Sequence, residues 1–437
     1  MTECTQETFD FPPCKRRRVQ ASFDGGAVTS DGGVMLLRQA DRVMGLTEAV
    51  GRALVDPRRR ASCEHDLLSL VRQRIYGLAL GYEDLNDHQS LRTDEALQTA
   101  VERDTVLASA STLCRFEGRA DRATAWALHE VLIEQFITSF KHRPKKLVLD
   151  FDATDDAVHG KQEGRFFHGY YDHYCFLPLY VFCRDQLLVS YLRPSKIDGA
   201  KHAWAILSLL VKRLRQAWPK VRIVLRADSG FCRWRMLRWC ERHNVDYIVG
   251  IAKNARLDRL SAPLHGEAAA AFEAKGTKVR RFTDFPYAAN SWDRARRIIA
   301  RIEHGDKGAN PRYVVTNVAG EAKRLYDKLY CARGDMENRI KEQQLDMFAD
   351  RTSCHRWWPN QLRLLLSSLA YTLLEGLQRL ALHGTSLARA YVGTVRLKLL
   401  KIGAVIVRNT RRVRLLLSSH YPHQELFAIV FARLVPG

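Results

Sequence analysis

Several features are missing from this sequence, and each absence removes a class of protein. The ten cysteines are scattered and form no C-x-x-C pair, which argues against a zinc ribbon and against a secreted disulfide framework. The longest uncharged apolar run near the carboxyl end, Leu364–Leu374, is too short to span a bilayer. The first residues lack the charged and then apolar pattern of a signal peptide. We therefore expect a cytoplasmic protein with no membrane partner.

Acidic charge is also scarce. The 437 residues contain 69 Lys and Arg against 48 Asp and Glu, a formal net charge of +21. Such an excess in a chain rich in apolar residues indicates a folded protein with a polyanionic partner, and nucleic acid is the first candidate. The length predicts two to three domains.

The first part of the chain, 1–140, is predicted to be mainly helical and basic. Apolar residues at helical spacing predict a helix over 64–81, with Arg72 and Arg74 off its apolar face and Gly81 suited to its end. Because helices that carry arginine can contact DNA, we expect 1–140 to be a DNA-binding region.

From residue 141 the pattern changes to strands. Three strands, of which the second and third form a hairpin, are followed by helix, strand, helix and strand. This order predicts a mixed α/β sheet of the ribonuclease H type, or alternatively a doubly wound sheet, over 141–252 and 326–356. The residues between, 253–325, are predicted to be a β-rich insertion. The last region, 357–437, is predicted to be helical.

The most unusual stretch is Lys146–Asp156, KLVLDFDATDD, which reads as a buried strand that ends in acid. A second β-branched strand ends at Asp228, and Glu337 lies in a later helix. Strand-end carboxylates meet at the carboxyl edge of an open sheet, so Asp152 and Asp228 are expected to come together there, with Glu337 as a third acid.

Three such carboxylates could hold hard cations. Two Mg²⁺ ions about 4 Å apart can activate an attacking oxygen and stabilise a leaving oxygen in phosphoryl transfer. Arg333 precedes Glu337 by four residues and Tyr330 precedes it by seven, so at helical spacing all three share a face. An arginine and a tyrosine in that position would hold a DNA phosphate.

A second interpretation starts from the same strand. Asp150-Phe151-Asp152-Ala153-Thr154 fits the D-x-D-x-T motif of haloacid-dehalogenase phosphatases, in which Asp150 would attack phosphorus and Asp152 would be the acid. Those enzymes carry the motif near the chain start and have no use for so large a positive charge.

Taken together, the motifs resemble those of a known family. The chain is similar to the DDE transposases of bacterial insertion sequences, in the branch with a Y-x2-R-x3-E signature, at Asp152-Ala153-Thr154, Arg226–Phe231, Tyr330-x2-Arg333-x3-Glu337, Ser30–Leu37, His168–Phe182 and Trp239–Asn254. This resemblance covers nearly the whole chain.

The resemblance implies a fold and an activity. The fold would be ribonuclease H-like with a β insertion before the last acid. The activity would be Mg²⁺-dependent cleavage at terminal inverted repeats and strand transfer into target DNA by cut-and-paste, with Mn²⁺ as a substitute for Mg²⁺. The partners would be double-stranded DNA and a second copy of the chain on that DNA, at the bacterial nucleoid. A catalytically decayed protein that only binds DNA ends is the alternative.

The resemblance is incomplete at two places. The family often carries a lysine seven residues after the glutamate, where this chain has Gln344, so Lys341 is expected to make that phosphate contact, with Arg339 beside it. The first acid is Asp152 by the family pattern, with Asp150 as the alternative. Trp292, in the insertion, is a candidate for stacking on a flipped base.

Overall fold

The structure, a computed structural model, describes residues 7–435. The chain divides into two compact units, one made of 1–119 with 369–437 and the other of 120–368.

The amino-terminal part of the first unit contains three strands and six helices. They are β1 (Thr8–Cys14), β2 (Arg17–Ser22), β3 (Val28–Thr29), α1 (Val34–Met44), α2 (Leu46–Ala53), α3 (Leu67–Leu80), α4 (Asp87–Leu91), α5 (Glu95–Val101) and α6 (Ala110–Glu117). The β1–β2 hairpin is exposed along its whole length.

Helix α3 lies within the predicted range 64–81; it begins three residues later than predicted and ends at Gly81 as predicted. The Asp66 side chain accepts a hydrogen bond from the Ser69 amide at 2.8 Å, and Gly81 ends the helix with a φ of 96°. The prediction places its arginines off the apolar face, but every residue from Ser69 to Leu80 is buried, and both arginines are buried with them. Arg74 is buried in an ion pair with Glu117 at 2.8 Å, and the equally buried Arg72 pairs with a glutamate at 2.6 Å.

The second unit holds the main sheet and its helices. Its elements are α7 (Arg122–Thr138), β4 (Lys146–Ala153), β5 (Asp156–Ala157), β6 (Phe166–His168), β7 (His173–Phe176), β8 (Leu179–Cys183), β9 (Gln186–Tyr191), α8 (Ala203–Ala217), β10 (Arg222–Ala227), α9 (Trp234–Arg242), β11 (Asp246–Ile251), α10 (Ala255–Leu260), α11 (Ala262–Lys275), β12 (Val279–Tyr287), β13 (Arg296–Gly305), β14 (Gly308–Thr316), α12 (Ala322–Arg324), α13 (Gly334–Lys341) and the part of α14 (Trp357–Leu377) up to residue 368.

The main sheet has eight strands in the order β12-β13-β14-β11-β10-β4-β8-β9. Strands β4, β10 and β11 are parallel, whereas β8 and β9 continue the sheet antiparallel on one side. This is the predicted ribonuclease H-like mixed sheet. Apolar side chains of β4 on one face, Leu147, Leu149 and Phe151, pack with α7, α8 and α9 into the core.

The segment 253–325 is not only strands. It begins with α10 and α11, of which the second takes up the alanine-rich stretch, and continues as β12, β13 and β14. These three strands pair antiparallel with one another and with β11, so they extend the main sheet at one edge.

The chain ends with α15 (Val392–Val395), β15 (Ala404–Asn409), β16 (Arg412–Leu417) and α16 (Gln424–Leu434). The hairpin β15–β16 was missed at the sequence level, although Ala404 and Ile406 alternate as buried residues with the exposed Val405 and Val407. It pairs with β3. None of the helices in the described part of the chain combines the length and hydropathy that a bilayer crossing requires.

Candidate active site

The register of two parallel strands brings the first two predicted acids to one edge of the sheet. Asp150 of β4 lies opposite Arg226 of β10, and Phe151 lies opposite Ala227. One step further along, Asp152 is the next-to-last residue of β4 and Asp228 directly follows β10. The strand-end carboxylates therefore lie at neighbouring places on the carboxyl edge, where open α/β sheets form their sites.

The turn after β10 fixes Asp228. Its carboxylate accepts a hydrogen bond from the Gly230 amide at 2.8 Å and so caps a single 3₁₀ turn, Ser229–Phe231. Gly250 of β11 leaves room for this turn. A Cβ atom at Gly250 would lie 2.8 Å from the Ser229 amide nitrogen and 2.7 Å from the Tyr330 hydroxyl oxygen, so any larger residue would push on both.

The third acid comes from a helical segment of changing pitch. After α12 the chain forms a π turn, Leu325–Tyr330, then a 3₁₀ turn, Cys331–Arg333, and then α13 with Glu337 in its first turn. Such changes of pitch are frequent at functional sites. The predicted face of Arg333 and Glu337 forms, because the two side chains pair at 2.5 Å across one helical turn.

One guanidinium joins two of the three acids. Arg333 Nη1 lies 3.1 Å from Asp152 Oδ2, while Nη2 of the same group donates to Glu337. Burial raises the pKa of Asp152 to about 6; the positive charge of Arg333 opposes the rise, and the carboxylates of Asp228 and Glu337 add to it. The three acids therefore act on one another electrostatically, with Arg333 among them.

Asp150 is held differently. It is 2 % exposed, and both of its carboxylate oxygens accept hydrogen bonds from Arg226, which also donates to the Leu329 carbonyl at 2.6 Å. A carboxylate occupied in this way has no free oxygen with which to attack phosphorus. The geometry thus disfavours both Asp150 as the first acid of the triad and the phosphatase interpretation.

The donor set suits a hard divalent cation. Asp152, Asp228 and Glu337 offer only carboxylate oxygens, the ligands that Mg²⁺ prefers. A positive group, the Arg333 guanidinium, already lies between two of them. Within residues 7–435, however, no group of three His, Cys, Asp or Glu side chains is close enough together to hold a metal ion. The residue types fit the cation, whereas a closed cage of ligands is not formed.

The other predicted site residues have varied surroundings. Tyr330 is half-buried, with its ring 5.4 Å from that of Tyr326, and burial raises its pKa. Lys341 is exposed near the end of α13. Arg339 pairs with the buried Glu342 at 2.5 Å, so its guanidinium is engaged within the protein, and its contact with DNA stays a prediction.

The side chains of Trp292 and Gln344 are both engaged in contacts within the protein. The Trp292 ring packs against the core, edge-on to Tyr287, with the Arg296 guanidinium 5.3 Å from its centre. The Gln344 side chain donates to the Asp155 carbonyl at 2.8 Å and so anchors the loop after β4. Stacking of a base on Trp292 stays a prediction.

Arg226 was not predicted as the partner of Asp150, although the sequence carries a signal for it. Asp150 precedes Asp152 by two residues, and Arg226 precedes Asp228 by two residues. In a parallel pair of strands this equal spacing places Arg226 opposite Asp150 when the two acids come together.

Comparisons with known proteins identify the family of the chain. The family model described as transposase DDE domain group 1 matches residues 11–436. No curated protein matches the chain. Among solved structures, the chain is similar to the cryo-EM structure of the piggyBac transposase synaptic complex with hairpin DNA, with 11% identity over 85% of this chain and 80% of that chain and a TM-score of 0.42. Since the family model spans nearly its whole length, the chain belongs to the family of transposases with a group 1 DDE domain.

Proposed function

We propose that this DDE transposase cleaves DNA at the terminal inverted repeats of its element and joins the freed 3′-hydroxyl to target DNA by cut-and-paste. The observation that carries the proposal is the bridging of Asp152 and Glu337 by Arg333, beside Asp228, at the carboxyl edge of the sheet. In this proposal Asp152, Asp228 and Glu337 are the catalytic acids.

The same three side chains would hold two Mg²⁺ ions, or Mn²⁺, and these ions when bound activate the attacking oxygen and stabilise the leaving oxygen. The chain supplies the rest. Asp152 has to be ionised, and the positive charge of Arg333 favours that form. The two guanidinium nitrogens of Arg333 that now donate to carboxylates can instead grip a DNA phosphate, which would free the acids for the cations.

Tyr330 and Lys341 complete the proposed grip on the DNA backbone. The Tyr330 hydroxyl lies on the side of Gly250 and the Asp228 turn, and Lys341 is exposed one turn after Glu337. A net charge of +21 supports double-stranded DNA as the partner, with 1–140 as a DNA-binding region. Two ends have to be cut and joined, so we expect a homodimer on the DNA, acting in the bacterial cytoplasm at the nucleoid.

The test is cleavage of a linear DNA that carries both ends of the element, in the presence of Mg²⁺, with the cut positions mapped. Glu337→Gln is expected to lower the rate about 1000-fold or more, because loss of a metal ligand removes several kcal/mol of transition-state stabilisation. Asp335→Asn is the matched control. It removes one carboxylate from the same helical turn, and Asp335 is exposed.

The outcomes separate the alternatives. Cleavage by Glu337→Gln at the rate of the unchanged protein would refute the assignment of the triad. End binding without any cleavage by the unchanged protein would indicate a decayed enzyme. Hydrolysis of p-nitrophenyl phosphate that is lost in Asp150→Asn, with no DNA cleavage, would establish the phosphatase instead.

A further inference from the structure

A short hairpin beside the candidate active site carries exposed aromatic side chains that the triad does not use. It consists of β6 and β7 with the turn between them, residues 165–176, and is called the aromatic hairpin here. Tyr170 in the turn is 85 % exposed and Phe167 is 53 % exposed; Phe166 and Tyr174 are also exposed. Exposed rings at such density on one hairpin indicate a contact surface.

The hairpin is fixed at its base and open at its tip. Strand β7 pairs with β5, so that Asp156 lies opposite Phe176, and β5 starts four residues after Asp152. The Ser195 hydroxyl donates to the Phe166 carbonyl at 2.8 Å, and the Phe176 ring packs edge-on against Trp357 at 5.3 Å. The base therefore cannot move far from the end of the strand that carries Asp152.

One contact and one electrostatic effect place the turn close to the strand end that carries Asp152. His173 Nε2 lies 2.9 Å from Asp155 Oδ2, three residues after Asp152. Burial raises the pKa of Tyr171 to about 12, and the nearby carboxylates of Asp155 and Asp152 add to the rise. The Tyr171 ring centre lies 5.0 Å from that of Tyr170.

Cations alternate with these rings. The Arg165 guanidinium lies 4.5 Å from the centre of the Tyr174 ring, and the Lys196 ammonium lies 5.5 Å from the centre of the Phe166 ring. Rings with interleaved positive charge are typical of surfaces that bind single-stranded nucleic acid, on which bases stack and phosphates meet the cations. A second copy of this chain, with its net charge of +21, would bring further cations to a surface where Arg165 and Lys196 already lie against the rings.

We propose that the aromatic hairpin binds unpaired nucleotides of DNA next to the scissile phosphate, with bases stacked on Tyr170 and Phe167 and phosphates held by Arg165 and Lys196. The position of those nucleotides beside the scissile phosphate rests on the proposed function. The affinity of the hairpin for unpaired bases does not, because it follows from the rings and cations alone.

The test uses a single-stranded oligonucleotide of about 12 nucleotides, within the range that such platforms cover, with one 2-aminopurine, and EDTA to exclude catalysis. We expect quenching of 2-aminopurine when the full-length protein binds. Tyr170→Ala and Phe167→Ala should each lower the affinity about tenfold. Tyr170→Phe should keep the affinity, because the ring and not the hydroxyl stacks. Affinity for a fully paired duplex of the same length should stay unchanged.

Trp126→Ala is the matched control, since Trp126 on α7 is also 53 % exposed and should leave both affinities unchanged. Equal loss of single-strand and duplex affinity in Tyr170→Ala, or unchanged single-strand affinity and quenching in both alanine variants, would overturn the proposal. Dissociation of a dimer by Tyr170→Ala, with single-strand affinity intact, would overturn it in favour of a protein interface. Because this test measures binding and not cleavage, its result does not depend on whether the protein cuts DNA. Failure of the proposed function and failure of the present proposal can therefore be distinguished.

Discussion

Two aspartates on one strand of this protein face the same side of the sheet and have opposite surroundings. Asp150 is sealed in a buried pair with Arg226, in which both carboxylate oxygens are bound. Asp152, two residues later, shares Arg333 with the more exposed Glu337. Each aspartate meets one arginine, but the first pair is closed and the second is open to solvent.

The difference shows that one strand carries both a buried ion pair and a residue of the candidate site. Arg226 comes from the neighbouring strand, and its position is fixed by the register of the sheet. Arg333 comes from the helical segment of changing pitch, and no strand register holds it. The closed pair is buried with both oxygens of Asp150 bound, whereas in the proposed function the open pair exchanges the Arg333 guanidinium for divalent cations.

The strongest test of this comparison removes the negative charge of Asp150 from the closed pair. Asp150→Asn should lower the free energy of unfolding by about 3–5 kcal/mol, because Arg226 would keep its charge in a buried place without a counter-charge. The melting temperature should fall by roughly 10 °C. Thermal unfolding followed by circular dichroism measures the shift.

The control for this variant replaces both partners. Asp150→Leu with Arg226→Met removes both charges together and should recover at least half of the lost stability. A melting temperature of Asp150→Asn within about 2 °C of the unchanged protein, together with loss of DNA cleavage, would reverse the roles of Asp150 and Asp152.

Because Asp152 of the open pair titrates with a raised pKa, the stability of the protein should depend on pH. Burial raises the pKa of Asp152 from 3.8 to about 6, so the folded state keeps this proton when the unfolded state has lost it. Folding is therefore penalised increasingly as pH rises from about 4 to about 6, and the penalty is constant above. Asp152→Asn removes the titrating group, so its stability relative to the unchanged protein should rise over this range by about 3 kcal/mol.

Urea unfolding of the two proteins at about pH 4.5, 6 and 7.5, with EDTA present, measures how the stability difference between them changes with pH. Asp152→Asn also loses the contact with Arg333. This loss changes the stability difference between the two proteins equally at the three pH values, so it does not alter how that difference depends on pH. A stability difference that does not change with pH, or one that shrinks as pH rises, would mean that Asp152 is not held in the environment described.

The sequence predicted the fold well where local patterns decide it. The alternation in β4, the β-branched strands and the spacing of the helices gave the order of elements and hence the mixed sheet. It failed where the partner is distant in the chain, as for Arg72 and Arg74, whose glutamates lie at residues 102 and 117. A helical face shows which residues share a side, but it does not show what an arginine on another side will meet.

The same limit applies to the candidate site. Strand ends predicted that Asp152 and Asp228 meet, because the geometry of a parallel sheet brings them together. The contact of Arg333 with Asp152 joins residues 181 apart and depends on the π and 3₁₀ turns before α13. Regular helical spacing carries no information about those turns.

A smaller effect is expected from the packing that supports the open pair. Gly250→Ala places a Cβ atom 2.8 Å from the Ser229 amide nitrogen, a backbone atom that cannot step aside easily. Overpacking of this kind costs about 1–3 kcal/mol, and it should displace the Asp228 turn and lower the cleavage rate as well. Melting temperature and initial cleavage rate are the two measurements.

Gly266→Ala is the matched control, because Gly266 lies inside α11 with open space around its Cβ position. It should raise stability slightly, by about 0.5–1 kcal/mol, since alanine favours a helix over glycine. If Gly250→Ala proved as harmless as Gly266→Ala, the close approach of the Asp228 turn to β11 would not be needed for the open pair.

The smallest effect is expected at the exposed lysine on the helix of the open pair. Lys341→Ala should weaken binding of end-containing DNA about threefold at moderate salt, because one solvent-exposed phosphate contact contributes less than about 1 kcal/mol. It should also lower the slope of log affinity against log salt by about one. Fluorescence anisotropy at several salt concentrations measures both.

Lys212→Ala is the matched control. It removes the same charge from an exposed place on α8, which packs on the face of β4 opposite to Asp152. If Lys341 contacts a phosphate, the slope changes only in Lys341→Ala; an equal change in both variants would mean that DNA senses the net charge of the protein and not the open pair.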